Sequence, residues 1–415
     1  PDPLFHRRPS RHHRRGHAQP RALAQAQRPP PRPGEDLSSD TAGARKVLVI
    51  GPAYLDRVVR VDSPILPEPW NRSSGPVDRS IEGVWGQVEP GLLLEDPERA
   101  RLMIALSDDW PGPTGRVMLR AALCPGSGPW TRSVRCLDWT DDLGGMGAGF
   151  AKALDATLLS ALGPDDDPNT RTVRSLLRAE GIAHEPWVIP DRPADWTLLI
   201  TSGPHGDKLP IGLRGCHSAL AVETIERLRE RSASQGIDLL VVASLPNPLA
   251  LAALRAVPAR LRMFAPAMRN MSDRSHPARD WEGLDLLVCN RDEWRAAGEP
   301  SELIRRCALV AITEGSRGAT VWFNQGRDFE SSPAFPRESP PIDTNRAGEA
   351  FAATLVSTLL DKGWSNRQDQ IVPEHLRAAL ARASAAAALV LDRPRFGFPS
   401  SQEVDSAIQV GRIHA

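Results

Sequence analysis

The sequence predicts an α/β fold built on a largely parallel central sheet. Short apolar runs, most of them rich in β-branched residues, recur over 46–51, 196–201, 238–243, 262–265, 285–289, 309–313 and 320–323. Runs that are apolar on both faces are how strands buried inside a parallel sheet read. Helical stretches lie between many of them, such as 219–232 and 248–257, so strand and helix alternate along most of the chain. Sheets of this kind place ligands at the carboxyl ends of their strands. The residues just after each run are therefore the first candidates for function.

Length and charge narrow the class. The chain has 415 residues with 51 basic and 51 acidic side chains. That length suits two to three domain equivalents or one large domain with additions. A zero formal charge gives no whole-protein reason to expect nucleic acid or an anionic membrane as partner. No stretch approaches the roughly 18 apolar residues of a membrane span. The five cysteines, Cys124, Cys136, Cys216, Cys289 and Cys307, are scattered and form no C-x-x-C pair. They read as small buried apolar residues in a reducing cytoplasm, not as a disulfide or zinc framework.

Taken in order, residues 1–45 hold nine Arg, eight Pro and four His against four acids, leaving a net charge of −5 for the remainder. With almost no aromatic or β-branched residues, this Arg/Pro-rich tail reads as disordered. The folded body is expected over 46–400, opening with the strand 46–51 that ends in Gly51. From about 63 to 142 the chain turns rich in Pro, Gly and Trp, with strand-like pieces such as 116–123. That region reads as a β-rich lid or insertion. A helical stretch is expected over 150–162, and residues 401–415 close the chain as a helix or tail.

Four motifs carry chemistry. Gly144-Gly145-Met146-Gly147-Ala148-Gly149 allows close backbone approach to a ligand ahead of a helix. It is no dinucleotide fingerprint, because Phe150 stands where a glycine is needed. Asn290-Arg291-Asp292-Glu293 follows a strand and pairs an amide with a carboxylate, a set suited to hydrated Mg²⁺ or to an ordinary helix cap. Thr313-Glu314-Gly315-Ser316-Arg317-Gly318-Ala319 follows another strand and suits a nucleotide loop or a hairpin turn. Asp343-Thr344-Asn345-Arg346-Ala347-Gly348-Glu349 runs into an amphipathic helix over 350–360, whose positive end is an anion site. Glu349 there is either a general base or an acid complementing the helix dipole.

In this order and at these spacings, with Gly51 and Asp56 after the first strand and Gly397-Phe398-Pro399 near the end, the motifs resemble the ribokinase-like (PfkB) carbohydrate kinase family over about 46–400. The resemblance implies a three-layer α/β/α fold with a mostly parallel sheet and a small β lid. It implies an ATP-dependent transfer of phosphate to a hydroxyl of a sugar or nucleoside, with Mg²⁺ and, as an optional addition, a monovalent cation. A homodimer through the lid is the assembly it suggests. Asp56, Gly144, Gly145 and Gly149 would hold the acceptor. Thr313, Gly315, Ser316, Gly318, Asp343 and Thr344 would take ATP, and Asn290 and Glu293 the Mg²⁺ through water. Glu349 would be the base, beside an anion hole at Arg346, Ala347 and Gly348.

Three positions depart from the family pattern. Its signature D-T-x-G-A-G-D has Arg346 in place of the first Gly and Glu349 in place of the final Asp, and Gly149 stands where an acceptor-binding Asn is usual. Two readings follow: an active kinase with a glutamate base, or a protein that keeps the fold and binds nucleotide or sugar with little turnover.

Overall fold

In the computed structural model the described residues are 45–61, 84–88, 91–95, 101–106, 116–122, 129–202, 207–232, 236–337, 346–393 and 396–413. Along the chain the strands are β1 (Val47–Ile50), β2 (Tyr54–Val61), β3 (Val84–Val88), β4 (Gly91–Glu95), β5 (Arg101–Leu106), β6 (Arg116–Ala122), β7 (Pro129–Gly144), β8 (Thr157–Leu162) and β9 (His184–Val188). They continue with β10 (Trp196–Ser202), β11 (Asp207–Leu213), β12 (Ile237–Ala243), β13 (Ala259–Ala265), β14 (Leu286–Asn290), β15 (Leu309–Thr313), β16 (Ala319–Phe323) and β17 (Asp328–Ser332).

Nine of these form the central sheet in the order β17-β16-β15-β14-β13-β12-β1-β8-β9. Pairing is parallel from β15 through to β9; β16 pairs antiparallel with β15 and with the edge strand β17, so only β16 runs against the rest. This is the largely parallel α/β sheet that the apolar runs predict. Alternate residues of each strand feed two cores. Val49, Leu239, Val241, Met263, Leu286 and Ala311 face one, together with helices Met146–Leu154, Ala347–Asp361 and Pro373–Val390. Ile50, Leu240, Val242, Phe264, Leu287 and Ile312 face the other, with helix Asn247–Ala256. Layers of helix on both faces are what make each strand apolar on both sides.

The second sheet has the order β11-β10-β2-β7-β6-β5-β4-β3. Strand β2 sits between β10, parallel to it, and β7, antiparallel. Bidentate Arg57–Asp141 and Arg60–Asp138 pairs cross from β2 to β7. Four strands between residues 84 and 122 extend this sheet beyond β7 as an antiparallel meander.

Two expectations need correction. The stretch 150–162 is not one helix: the helix is Met146–Leu154, Asp155 caps it in a left-handed conformation, and Thr157–Leu162 is β8. The run Thr-Leu-Leu-Ser-Ala-Leu is buried on both faces and goes to the sheet, where tertiary burial outweighs a helical reading of its leucines and alanines. The stretch 219–232 is likewise divided, into a 3₁₀ turn Cys216–Ala219 and two short helices, Val222–Glu226 and Leu228–Ser232. Strands β9 and β17 lie at the sheet's two edges. Both are largely exposed, so neither carries an apolar run that sequence reading detects.

Candidate active site

At the carboxyl ends of β13, β14 and β15 lies an open cleft of ≈ 370 Å³. It is lined by Tyr54, Asp56, Asn290, Glu293, Thr313, Arg346, Gly348 and Glu349 among others. Residues from four separate motifs thus meet in one place.

The nucleotide-side residues are held by local geometry. Asn290 caps the helix Arg291–Ala296: its side-chain oxygen accepts from the Glu293 N–H at 2.8 Å, and Glu293 Oε2 accepts from the Asn290 N–H at 2.8 Å. The cap and the cleft lining are therefore compatible, since each side chain keeps polar atoms beyond those the cap uses. The loop after β15 is a 3₁₀ turn over Gly315–Arg317 that leads into the antiparallel strand β16. Gly318 has φ 98°, and a Cβ there would lie 2.0 Å from the Ser332 carbonyl oxygen, so only glycine fits. Gly315, Ser316 and Gly318 belong to this turn, whereas Thr313 reaches the cleft itself. Asp343 and Thr344 lie outside the described residues. One feature the sequence did not suggest is the ion pair from Arg291 to Glu314, which joins the two motifs and is reinforced by Arg317 at 3.2 Å. The Arg291 hydrogen bond holds the Glu314 carboxyl below its ordinary pKa.

The acceptor side is built by long-range contacts. Gly144 ends β7 opposite Tyr54, and a side chain there would strike both Tyr54 and Asp56. Gly145 has φ 97° and approaches the Pro52 carbonyl, bringing the hinge between β7 and the next helix against the loop after β1. Burial and the neighbouring Asp56 push the Tyr54 phenol up to about 12, even though Arg346, Arg214 and Arg269 act in the opposite direction.

Arg346 precedes the helix Ala347–Asp361 in the left-handed region, with φ 69°. A non-glycine residue there costs about 1–2 kcal/mol, so its side chain must return more than that. Its Nη1 donates to Glu349 Oε1 at 3.0 Å and to the Gly145 carbonyl at 3.2 Å, and its Nη2 to the Leu143 carbonyl at 3.0 Å. The guanidinium also stacks 4.4 Å from the centre of the Phe396 ring. Charged hydrogen bonds contribute about 1.5–3 kcal/mol each, so the contacts outweigh the backbone strain. Burial works against the Arg346 charge, yet Glu349, Asp56 and Tyr54 hold its pKa above the ordinary arginine value.

The three departures from the family pattern prove to be neighbours. A Cβ at Gly149 would lie 3.0 Å from Glu349 Oε1, 3.2 Å from its Cγ and 3.4 Å from Arg346 Nη1. The longer glutamate and the arginine thus fill space that a side chain at 149 would take. Gly348 is open, with no atom within 4 Å of where a Cβ would stand. Arg346 at the N-cap makes no side-chain cap hydrogen bond, so among the described residues the N–H groups of the first turn are left for an anion. Ala347 begins the helix and is half-buried beside them. Arg214, Arg269, Tyr54 and Phe396 escaped the sequence reading because none belongs to a motif.

Comparisons with known proteins bear on the fold and the family. A curated ATP-dependent ribose-1-phosphate kinase from Halopiger xanaduensis is 28% identical over 233 residues, covering 53% of this chain and 74% of that protein. Among solved structures, the nucleoside kinase of Methanocaldococcus jannaschii, an archaeal member of the ribokinase family, aligns with TM-score 0.57 at 14% identity over 88% of this chain and 99% of its own. Ribokinase from Giardia lamblia aligns with TM-score 0.56 at 16% identity over 89% and 99%. A Burkholderia thailandensis nucleoside kinase in complex with inosine gives TM-score 0.54 at 17% identity over 88% and 98%. These structures establish a ribokinase fold. The model of the pfkB family carbohydrate kinases matches residues 130–403, and the chain, with its carboxylate at an open helix N-terminus, belongs to that family of kinases.

Proposed function

We propose that this kinase transfers the γ-phosphoryl group of ATP to a hydroxyl of a phosphorylated pentose, with Glu349 as general base. The observation that carries the chemistry is the placement of Glu349: buried, in the first turn of an uncapped helix, and facing the same cleft as Asp56, Asn290 and Thr313. Arg346 engages Oε1, so the proton of the attacking hydroxyl passes to the second oxygen of the carboxylate. The hydroxyl oxygen then bonds to the γ-phosphorus as its bond to the leaving ADP oxygen breaks. The N–H groups at the start of helix Ala347–Asp361 face the charge on the phosphoryl oxygens.

Asn290 and Glu293 fit a hydrated Mg²⁺ held through water, because an amide and a carboxylate line the cleft side by side at the end of β14. When bound, such an ion neutralises phosphate charge. Asp56 orients acceptor hydroxyls from the opposite wall.

The charge of the acceptor side supports the phosphate on the substrate. Three guanidiniums, of Arg346, Arg214 and Arg269, act on Tyr54 against the carboxylate of Asp56. Arginines acting on the Tyr54 wall of the cleft offer partners to an anionic group on the acceptor. The ribose-1-phosphate kinase relative points the same way. The reading in which the chain binds without turnover rests only on the departures at Arg346 and Glu349, and the family and its kinase relative favour an active enzyme.

The test is ATP-dependent ADP release with ribose 1-phosphate, ribose, hexoses and nucleosides offered in parallel. Turnover with the phosphorylated pentose, lost in Glu349→Gln, is the expected result. Faster turnover with a neutral sugar or nucleoside would move the acceptor assignment. No turnover with any acceptor would remove the catalytic reading.

A further inference from the structure

Outside the cleft, three buried side chains of metal-binding type converge at the base of the second sheet. Asp195 stands just before β10, and Cys216 and His217 open the 3₁₀ turn that follows β11. They are 1%, 0% and 7% exposed. Asp195 Oδ1 accepts from the Gly215 N–H at 2.8 Å and the His217 N–H at 3.2 Å, which fixes the carboxylate. Its second oxygen, Oδ2, is buried with no hydrogen bond.

One ligand atom from each of the three residues lies within 4.8 Å of the others, and the two separations from His217 Nδ1 are those of ligands around one ion. His217 Nδ1 lies 3.5 Å from Asp195 Oδ2 and 3.7 Å from Cys216 Sγ, and the sulfur lies 3.7 Å from Asp195 Oδ1. A direct hydrogen bond between imidazole and carboxylate would be near 2.8 Å. Bonds of about 2.0–2.3 Å to a tetrahedral ion separate its ligands by roughly 3.3–3.8 Å. We propose that Asp195, Cys216 and His217 form a zinc site, with a fourth position left for water. A thiol, an imidazole and a carboxylate together select zinc over magnesium or calcium, which take oxygen alone.

Charge supports the assignment. Cys216 is fully buried, with its sulfur 3.7 Å from the buried Asp195 carboxylate. On loading, Zn²⁺ displaces the thiol proton to solvent and forms the zinc–sulfur bond. Thiolate and carboxylate then balance the two positive charges, giving a neutral buried site. Arg214 Nη1, now 3.7 Å from Asp195 Oδ2, has a half-exposed side chain free to turn toward solvent. The ion would pin the start of β10 to the end of β11, closing the base of that hairpin.

The test uses the untagged full chain, stripped with chelator and titrated with Co²⁺. The expected result is a thiolate-to-cobalt charge-transfer absorption that saturates at one cobalt per chain, releases one proton and disappears when zinc is added. Histidines in the N-terminal segment, His6, His12, His13 and His17, bind cobalt without such an absorption. Cys216→Ser should abolish the band. If that variant does not fold, Asp195→Asn serves instead, since its remaining oxygen still accepts the two backbone N–H groups; affinity should fall at least about tenfold. Absence of the band in the native chain, or its survival at full strength in Cys216→Ser or at unchanged affinity in Asp195→Asn, would overturn the site.

Discussion

The two halves of the cleft are assembled by different means. On the nucleotide side, Asn290 and Glu293 satisfy each other three residues apart, and Glu314 meets Arg291 across 23 residues. On the acceptor side, Arg346 reaches Leu143 and Gly145 across more than 200 residues. A motif held by its own turn tolerates change elsewhere. A motif held by distant partners is tied to them, as Gly149, Arg346 and Glu349 are by their mutual contacts.

The sharpest way to break this contrast is Glu349→Gln, which keeps the shape and removes the base. Turnover should fall by about 10³-fold, with ATP affinity measured by calorimetry unchanged. Equal loss of nucleotide binding would show that the halves are not separable.

Comparing the halves by stability requires knowing what acid does to the sheet beneath them. Burial first, then Arg174 and His217, lower the His184 pKa from 6.5 to about 4 in the folded chain. The unfolded chain therefore takes up this proton first as pH falls. The stability His184 contributes is present above pH 6.5 and is lost as pH drops through about 4, amounting to about 3 kcal/mol. Urea unfolding at pH 7 and pH 4 measures the loss, and His184→Gln, which still bonds Ser160, should reduce it. An unchanged pH dependence in that variant would assign the effect elsewhere.

Gly149→Asn tests the coupling within the acceptor half. A side chain there must push the Glu349 carboxylate, 3.0 Å from the new Cβ, by a few tenths of an ångström or more. The expected cost is about 30-fold in kcat, somewhat less than a full 1 Å misplacement brings. Adding Arg346→Gly and Glu349→Asp, which restores the family pattern, should recover most of it. No recovery in the triple variant would mean that the three positions are independent.

The smallest effect is expected on the nucleotide side. Glu314→Gln removes the carboxylate that Arg291 and Arg317 share, and the KM for ATP should rise only about threefold. A loss as large as that of Gly149→Asn would erase the distinction between a locally and a distantly held half.

The sequence by itself determined the α/β class, because strands covered on both faces must be apolar throughout. It also placed the Asn290–Glu293 and Thr313–Ala319 motifs at strand ends, since a cap or a turn is written in adjacent residues. It misread 150–162 because a doubly buried strand and a helix of leucine and alanine look alike until a sheet claims one of them. The role of Arg346 was decided only by the tertiary structure. Whether its bulk blocks the anion site or lies aside depends on the space left by Gly149 and on carbonyls at Leu143 and Gly145, none of them near it in the chain. The same holds for Cys216: alone it is a small buried residue, and only the fold brings Asp195 against it. Chemistry held within one turn is legible in the chain, whereas chemistry that depends on which distant backbone leaves room becomes visible only once the chain has packed.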